Sequence, residues 1–99
     1  MRSVTEPLSF VLFVAGDGPN SRAARTNLAA LCREHFTCAP EVAVVDVLVD
    51  PERALSDGVL LTPQLLVRQA GRVRRVIGTL ARPEAVLDGI ARNGNASLA

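Results

Sequence analysis

Two strand-like runs, one apolar and one rich in valine, separated by one helix's worth of chain, constrain this protein more than any other feature. Residues Leu8 to Ala15 read Leu-Ser-Phe-Val-Leu-Phe-Val-Ala and close on Gly16. A run with almost no polar alternation fits a strand buried on both faces, and therefore central in its sheet. After Gly16-Asp17-Gly18-Pro19, Asn20 or Ser21 suits a helix N-cap, and Ala24, Leu28, Leu31 and Cys32 recur at helical spacing, which predicts a helix to about Phe36. Glu41 to Val49 then carries Val42, Val44, Val45, Val47 and Val49, the composition of a second strand. Strand, crossover helix and strand make a parallel unit, right-handed because a twisted strand and a right-handed helix pack together only that way.

The remainder breaks the pattern. Asp50-Pro51-Glu52 supplies a cap, a proline at the first helical position and an acidic first turn, so a short helix is expected from Pro51 to about Ser56, ended by Asp57-Gly58. Leu65 to Arg68 and Arg72 to Ile77 read as two strands joined through Gln69-Ala70-Gly71, a hairpin loop, with Gly78 closing the second strand. A last helix is expected from near Arg82-Pro83-Glu84, with Val86, Leu87, Ile90 and Ala91 on one face and Asn93-Gly94-Asn95 as its stop. The order β-α-β-α-β-β-α predicts an α/β fold of thioredoxin-like type, a mixed four-stranded sheet with helices on both faces. A chain of 99 residues holds one core. The reading places that domain at 8–92, after an N-terminal extension 1–7 and before a flexible tail 93–99.

Composition excludes several classes. A net charge of +1 and three aromatic residues, all Phe, give no basis for nucleic-acid binding. No apolar stretch approaches the roughly 18 to 20 residues that span a bilayer, and Met1-Arg2-Ser3-Val4-Thr5-Glu6-Pro7 lacks a secretory apolar segment. A cytoplasmic protein with no membrane association is expected. The cations are all arginines, whose planar guanidinium favours forked contacts with oxyanions.

Candidate chemistry is sparse. A redox member of this fold needs cysteine where the first helix begins, so that the helix N-terminus lowers the thiol pKa. That position reads Gly16-Asp17-Gly18-Pro19-Asn20-Ser21, whereas Cys32 and Cys38 fall at the far end, Cys32 on the apolar face. Cys32-x-x-His35-x-x-Cys38 has a spacing that could address zinc but is one ligand short, with Glu34 or Glu41 as candidates to complete it. Gly16-x-Gly18 lacks the third glycine of a dinucleotide loop and carries Asp17 where phosphate would lie. No cofactor and no catalytic residue are therefore expected. Thr62-Pro63 stands immediately before a strand, where this fold keeps a cis-proline, and cis is expected at Pro63. Arg68, Arg72, Arg74 and Arg75 gather on the hairpin, either as a patch for an acidic partner or as charges guarding a sheet edge; alternation puts Arg72 and Arg74 on one face and Arg75 on the other.

Four blocks, in order, resemble the KaiB family: Phe13-Val14-Ala15-Gly16-x-x-Pro19-Asn20-Ser21; Val45-Asp46-Val47-Leu48 with Pro51; Leu60-x-Thr62-Pro63; and Val73-Arg74-Arg75-Val76-Ile77-Gly78-x-Leu80. The resemblance spans about Leu8 to Ile90. It implies a thioredoxin-like protein without redox cysteines that binds the RecA-type ATPase KaiC and modulates its phosphorylation cycle, or serves with a clock-output histidine kinase. It also implies an alternative, tetrameric ground-state fold in which the second half of the chain re-forms its secondary structure.

Against this family, Gln69-Ala70-Gly71-Arg72 replaces a proline-rich turn, Thr79 replaces an acidic residue, and Ala81-Arg82-Pro83 replaces a polar stretch. Pro51 suits a helix start, Val73, Val76 and Ile77 suit a strand, and Pro83 would lack a donor in a strand, so local chemistry favours the thioredoxin-like state. The first helix carries its charges at Arg22 and Arg25 rather than at Ala23 and Thr26. Arg22, Arg25, Arg72, Arg74 and Arg75 are the candidate partner-binding residues, with Pro63, Gly78 and Pro83 as structural ones. A thiol-disulfide oxidoreductase using Cys32 or Cys38, and a tetrameric stress-related protein without a clock role, are the alternatives.

Overall fold

The computed structural model describes residues 7–90; all of the 1–7 extension but Pro7, and the 93–99 tail, lie outside the described residues. The chain runs β1 (Leu8–Val14), α1 (Pro19–His35), β2 (Glu41–Asp46), α2 (Pro51–Ser56), β3 (Gln64–Gln69), β4 (Arg72–Ile77), α3 (Pro83–Leu87). The strands form one sheet in the order β2-β1-β3-β4. β1 pairs parallel with β2, Phe13 opposite Val45, and antiparallel with β3, Phe10 opposite Val67, while β3 and β4 form the antiparallel hairpin. The unalternated run is thereby explained: β1 lies inside the sheet and Phe10 to Val14 are all buried.

The period of two divides the sheet's side chains between two cores. On one face Phe10, Leu12, Val14, Leu65 and Val67 meet Ala24, Leu28 and Leu31 of α1 and Val86 of α3. Phe10 and Phe36 make an edge-on contact there, with centroids 6.2 Å apart. On the other face Val11, Phe13, Val45 and Leu66 meet Ala54 of α2 and Val59. This second core is much smaller, because α2 has only six residues.

Three boundaries depart from the sequence reading. α1 begins at Pro19 with extended Gly18 as N-cap, two or three residues earlier than an Asn20 or Ser21 cap allows. Pro19 suits the first helical position because it lacks the N–H that would go unpaired there. Ser21 is instead turned back, its hydroxyl bridging the amide and carbonyl of Ala15 at 3.2 and 3.3 Å. β2 stops at Asp46 rather than Val49, because the Asp46 carbonyl accepts from both Val49 and Asp50 and curls the chain away.

α3 ends at Leu87 and does not reach the Asn93-Gly94-Asn95 stop, which lies outside the described residues together with Ala91. Arg74 of β4 donates to the carbonyls of Ala85 and Val86. Those carbonyls would have accepted the amides of Gly89 and Ile90 in a further turn. Gly89 instead takes a positive φ of 84°. Ile90 is nonetheless buried in the larger core.

Candidate functional site

The C-terminal ends of β1 and β2 are held together by one carboxylate. Asp46 Oδ1 accepts from the amide of Gly16 at 3.0 Å and from that of Leu48 at 2.9 Å. Gly16 itself needs its glycine: its φ is 69°, and a Cβ there would stand 3.3 Å from a methyl of Leu48. The loop where a redox relative would keep its thiols is thus built of Gly16 and Asp17 on a carboxylate bracket.

The Gly16 amide, then the Leu48 amide, and more weakly the charge of Arg25 hold the Asp46 carboxyl below the usual carboxylate range. A carboxyl depressed on folding stabilises the native state above the unfolded pKa of about 4 and loses that contribution as pH falls through the folded value. Asp46→Ala should therefore lower the urea midpoint at neutral pH, and the gap to the parent should close in acid. A gap of constant size down to pH 3 would contradict the bracket.

Arg22 and Arg25 occupy the exposed side of α1. Arg22 donates to the carbonyl of Asp17 at 2.9 Å, and Arg25 lies near enough to Asp46 to act on its charge. Arg25 therefore stands near the end of β2, and Arg22 at the loop that precedes α1. β2 itself is an open edge: Glu41, Val42, Ala43 and Val44 are all exposed. Val47 donates to the carbonyl of Val14. By strand alternation Ala43 and Val45 turn their amides toward β1, and Val42 and Val44 turn theirs outward. No lysine, arginine or proline guards this edge, and its only charges are Glu41 and Asp46.

The hairpin arginines do not form one patch. Arg74 lies opposite Val67 and engages α3, whereas Arg75 lies opposite Leu66 on the other face and donates to the carbonyl of Asp57 at 2.6 Å. Arg72 is exposed near the turn. Each guanidinium is thus set by strand parity rather than by proximity in sequence.

The Thr62–Pro63 peptide is cis, and the Pro63 carbonyl accepts from the amide of Gly78 at 2.9 Å. Gly78 has a φ of 115°, which its lack of a side chain makes affordable. Pro83 opens α3 at its first position. Cys32 is half-buried against the larger core, where desolvation raises its pKa and so disfavours the reactive thiolate. Cys38 is exposed, and among the described residues no group of three metal-ligating side chains converges. Among the described residues, too, no helix is long and apolar enough to cross a membrane.

Three contributors escaped the sequence reading. Asp46 and Asp57 look like ordinary strand-end and turn carboxylates in a linear chain. Leu80 is buried at 6% despite a φ of 64°; the neighbouring carbonyl of Thr79 accepts from Asn27 of α1 at 2.8 Å and pins that loop.

Known proteins similar to this chain agree on one lineage. The family model described as the KaiB domain matches residues 11–91. The circadian clock oscillator protein KaiB of Prochlorococcus marinus is 40% identical over 79 residues, covering 80% of this chain and 68% of that protein. The protein of the same name from Microcystis aeruginosa is 39% identical, over 80% of this chain and 76% of its own length. Among solved structures, the thioredoxin of Fasciola hepatica superposes with a TM-score of 0.69 at 25% identity, covering 88% of this chain and 81% of the thioredoxin.

Proposed function

The chain belongs to the KaiB family, and from that premise we propose that it is a non-catalytic clock-type regulator that docks a KaiC-like RecA-type ATPase, or a related signalling kinase, and modulates its phosphorylation cycle. The observation that carries the reading is the β2 edge, unguarded, with Arg25 of α1 near its end and Arg22 on the adjoining Asp17 loop. An edge with free outward amides accepts a partner strand. The adjoining arginines add charge that steers an acidic partner and sets its register. The opposite edge, β4, carries Arg72, Arg74 and Arg75 and is protected against the same pairing.

A thiol-disulfide role is disfavoured by chemistry. The first helix starts on Gly18-Pro19, and the one cysteine of α1 is thirteen positions beyond Pro19, half-buried with its thiol pKa raised. Partner binding in the cytoplasm by the thioredoxin-like state, rather than by a tetrameric alternative, is the form of the protein this reading uses.

The test is capture of the KaiC-like ATPase from the source cell by purified chain, read by surface resonance together with the ATPase's phosphorylation time course. Arg22→Glu with Arg25→Glu should weaken capture by ~10-fold or more, as for charges at an interface rim acting together. Unchanged capture by the double variant, or reduction of insulin disulfides that Cys32→Ser abolishes, would sink the proposal.

A further inference from the structure

On the face of the sheet opposite α1, three arginines from three different elements converge on one acidic residue. Arg53 Nε of α2 lies 3.1 Å from Asp57 Oδ2, and a guanidinium nitrogen of Arg68 from β3 lies 3.5 Å from Asp57 Oδ1. Arg75 of β4 donates to the Asp57 backbone carbonyl at 2.6 Å. Arg75 also reaches the side-chain oxygen of buried Gln64 at 2.8 Å, with the Gln64 amide nitrogen donating to the carbonyl of Leu61 at 3.0 Å. Strand parity accounts for the convergence: Gln64, Leu66 and Arg68 of β3 and Arg75 of β4 project from the same face.

The charge is out of balance. Three guanidiniums gather at one acidic residue, Arg53 and Arg68 on its carboxylate and Arg75 on its backbone carbonyl, so the cluster carries two more positive charges than negative ones. Each guanidinium also offers more donors than it uses here, since Arg53 donates one hydrogen bond to the Asp57 carboxylate and Arg68 only an ion pair at 3.5 Å. Arg53 and Arg68 remain 40% exposed, so their unspent donors face water rather than a core. An ordinary surface ion pair needs no such surplus. A tetrahedral oxyanion carrying two charges matches it in charge, and forked guanidiniums match it in geometry.

Space adjoins the charge. A shallow cleft of about 380 Å³ opens beside the hairpin turn, lined by Pro7, Ser9, Arg68, Arg72 and Val73 among others. Arg68 therefore belongs both to the cleft wall and to the arginine cluster. We propose that Arg53, Arg68 and Arg75 form a binding site for the phosphoryl dianion of a phosphate monoester, whose remaining atoms lie in the cleft along Arg68 and Arg72. The Asp57 carboxylate engages Arg53 and Arg68 in the free protein and competes with the ligand for them. The site lies on the α2 face and does not depend on partner docking at β2.

The competition supplies a signed test. The parent chain is titrated with inorganic phosphate against sodium chloride of matched ionic strength, following the Nε–Hε NMR signals of its arginines. Saturable shifts should be confined to Arg53, Arg68 and Arg75. Arg68→Gln should weaken phosphate binding ~5-fold or more, whereas Asp57→Asn should tighten it ~3-fold, because the competing charge is gone while the Asp57 backbone carbonyl stays. Arg33→Gln, on exposed α1, should leave binding as it is.

Ribose 5-phosphate and a phosphoserine peptide then distinguish the sources of the group. Tighter binding of the first assigns the site to a small monoester, and tighter binding of the second assigns it to a phosphorylated side chain. Shifts that follow chloride equally well, or spread over all the arginines, overturn the site. So does an Asp57→Asn chain that binds phosphate more weakly than the parent. The parent titration decides the question even if a variant fails to fold.

Discussion

Phe13→Ala should cost about 4 kcal/mol of unfolding free energy, the middle of the range for emptying a buried aromatic position. Phe13 is fully buried, and it is the one aromatic residue of the smaller core, where its neighbours are Val11, Val45, Ala54, Val59 and Leu66. The site has little capacity to collapse around the void. α2 offers only Ala54 to this face, and β1 is fixed on both sides by β2 and β3. The ring also lies 6.0 Å beneath the Arg53 guanidinium, a contact that a methyl group cannot replace.

Domains of this size hold roughly 5 to 15 kcal/mol, so the variant should lose about a quarter or more of its stability. Urea unfolding at pH 7 reads this directly as a fall in midpoint at unchanged slope. Phe13→Leu, which keeps most of the volume, should cost less than about 1.5 kcal/mol. If the alanine and leucine variants unfold at the same midpoint, the smaller core does not hold α2 as described.

The elements whose cause is local were legible in the chain. The uninterrupted apolar run of β1, the Asp50-Pro51-Glu52 start of α2 and the Gln69-Ala70-Gly71 turn each announce themselves within a few residues, and the structure has them there. Two of the boundaries that moved carry a distant contribution. α3 is cut short by Arg74, eleven residues before Ala85, and β2 is ended by a turn on the Asp46 carbonyl whose side chain is tied to Gly16 thirty residues earlier.

The same division runs through the candidate site. The missing thiols at Gly16-Asp17-Gly18-Pro19 are a local fact. That Arg74 and Arg75 serve opposite faces follows from alternation, but their targets, α3 and Asp57, depend on how the helices cross the sheet. Arg53 and Asp57 are one helical turn apart, but Arg68 reaches Asp57 from eleven residues further along the chain, on the sheet face that Ala54 of α2 covers. Periodicity places a side chain on a face; it does not say what the next layer brings to it.

Val44→Pro should abolish strand-type docking on β2 while sparing the fold. The Val44 amide points away from β1, so proline there removes no bond of the sheet, and an edge position tolerates the ring. The residue before it, Ala43, is already extended, as proline requires of its neighbour. A partner strand laid along β2 would lose the Val44 donor and meet the ring in its place, an effect of about 1.5 kcal/mol or more, and so about tenfold or more in affinity for the KaiC-like ATPase.

Ala43→Pro provides the opposite case, because the Ala43 amide faces β1 and its loss breaks the parallel ladder. It should lower the urea midpoint severely, whereas Val44→Pro should retain the parent's amide spectrum away from β2. Full binding by a folded Val44→Pro chain would exclude the edge as the docking surface and leave the arginines of α1 to carry the contact alone. Loss of fold in both variants would contradict the alternation inferred from the Val47 to Val14 hydrogen bond.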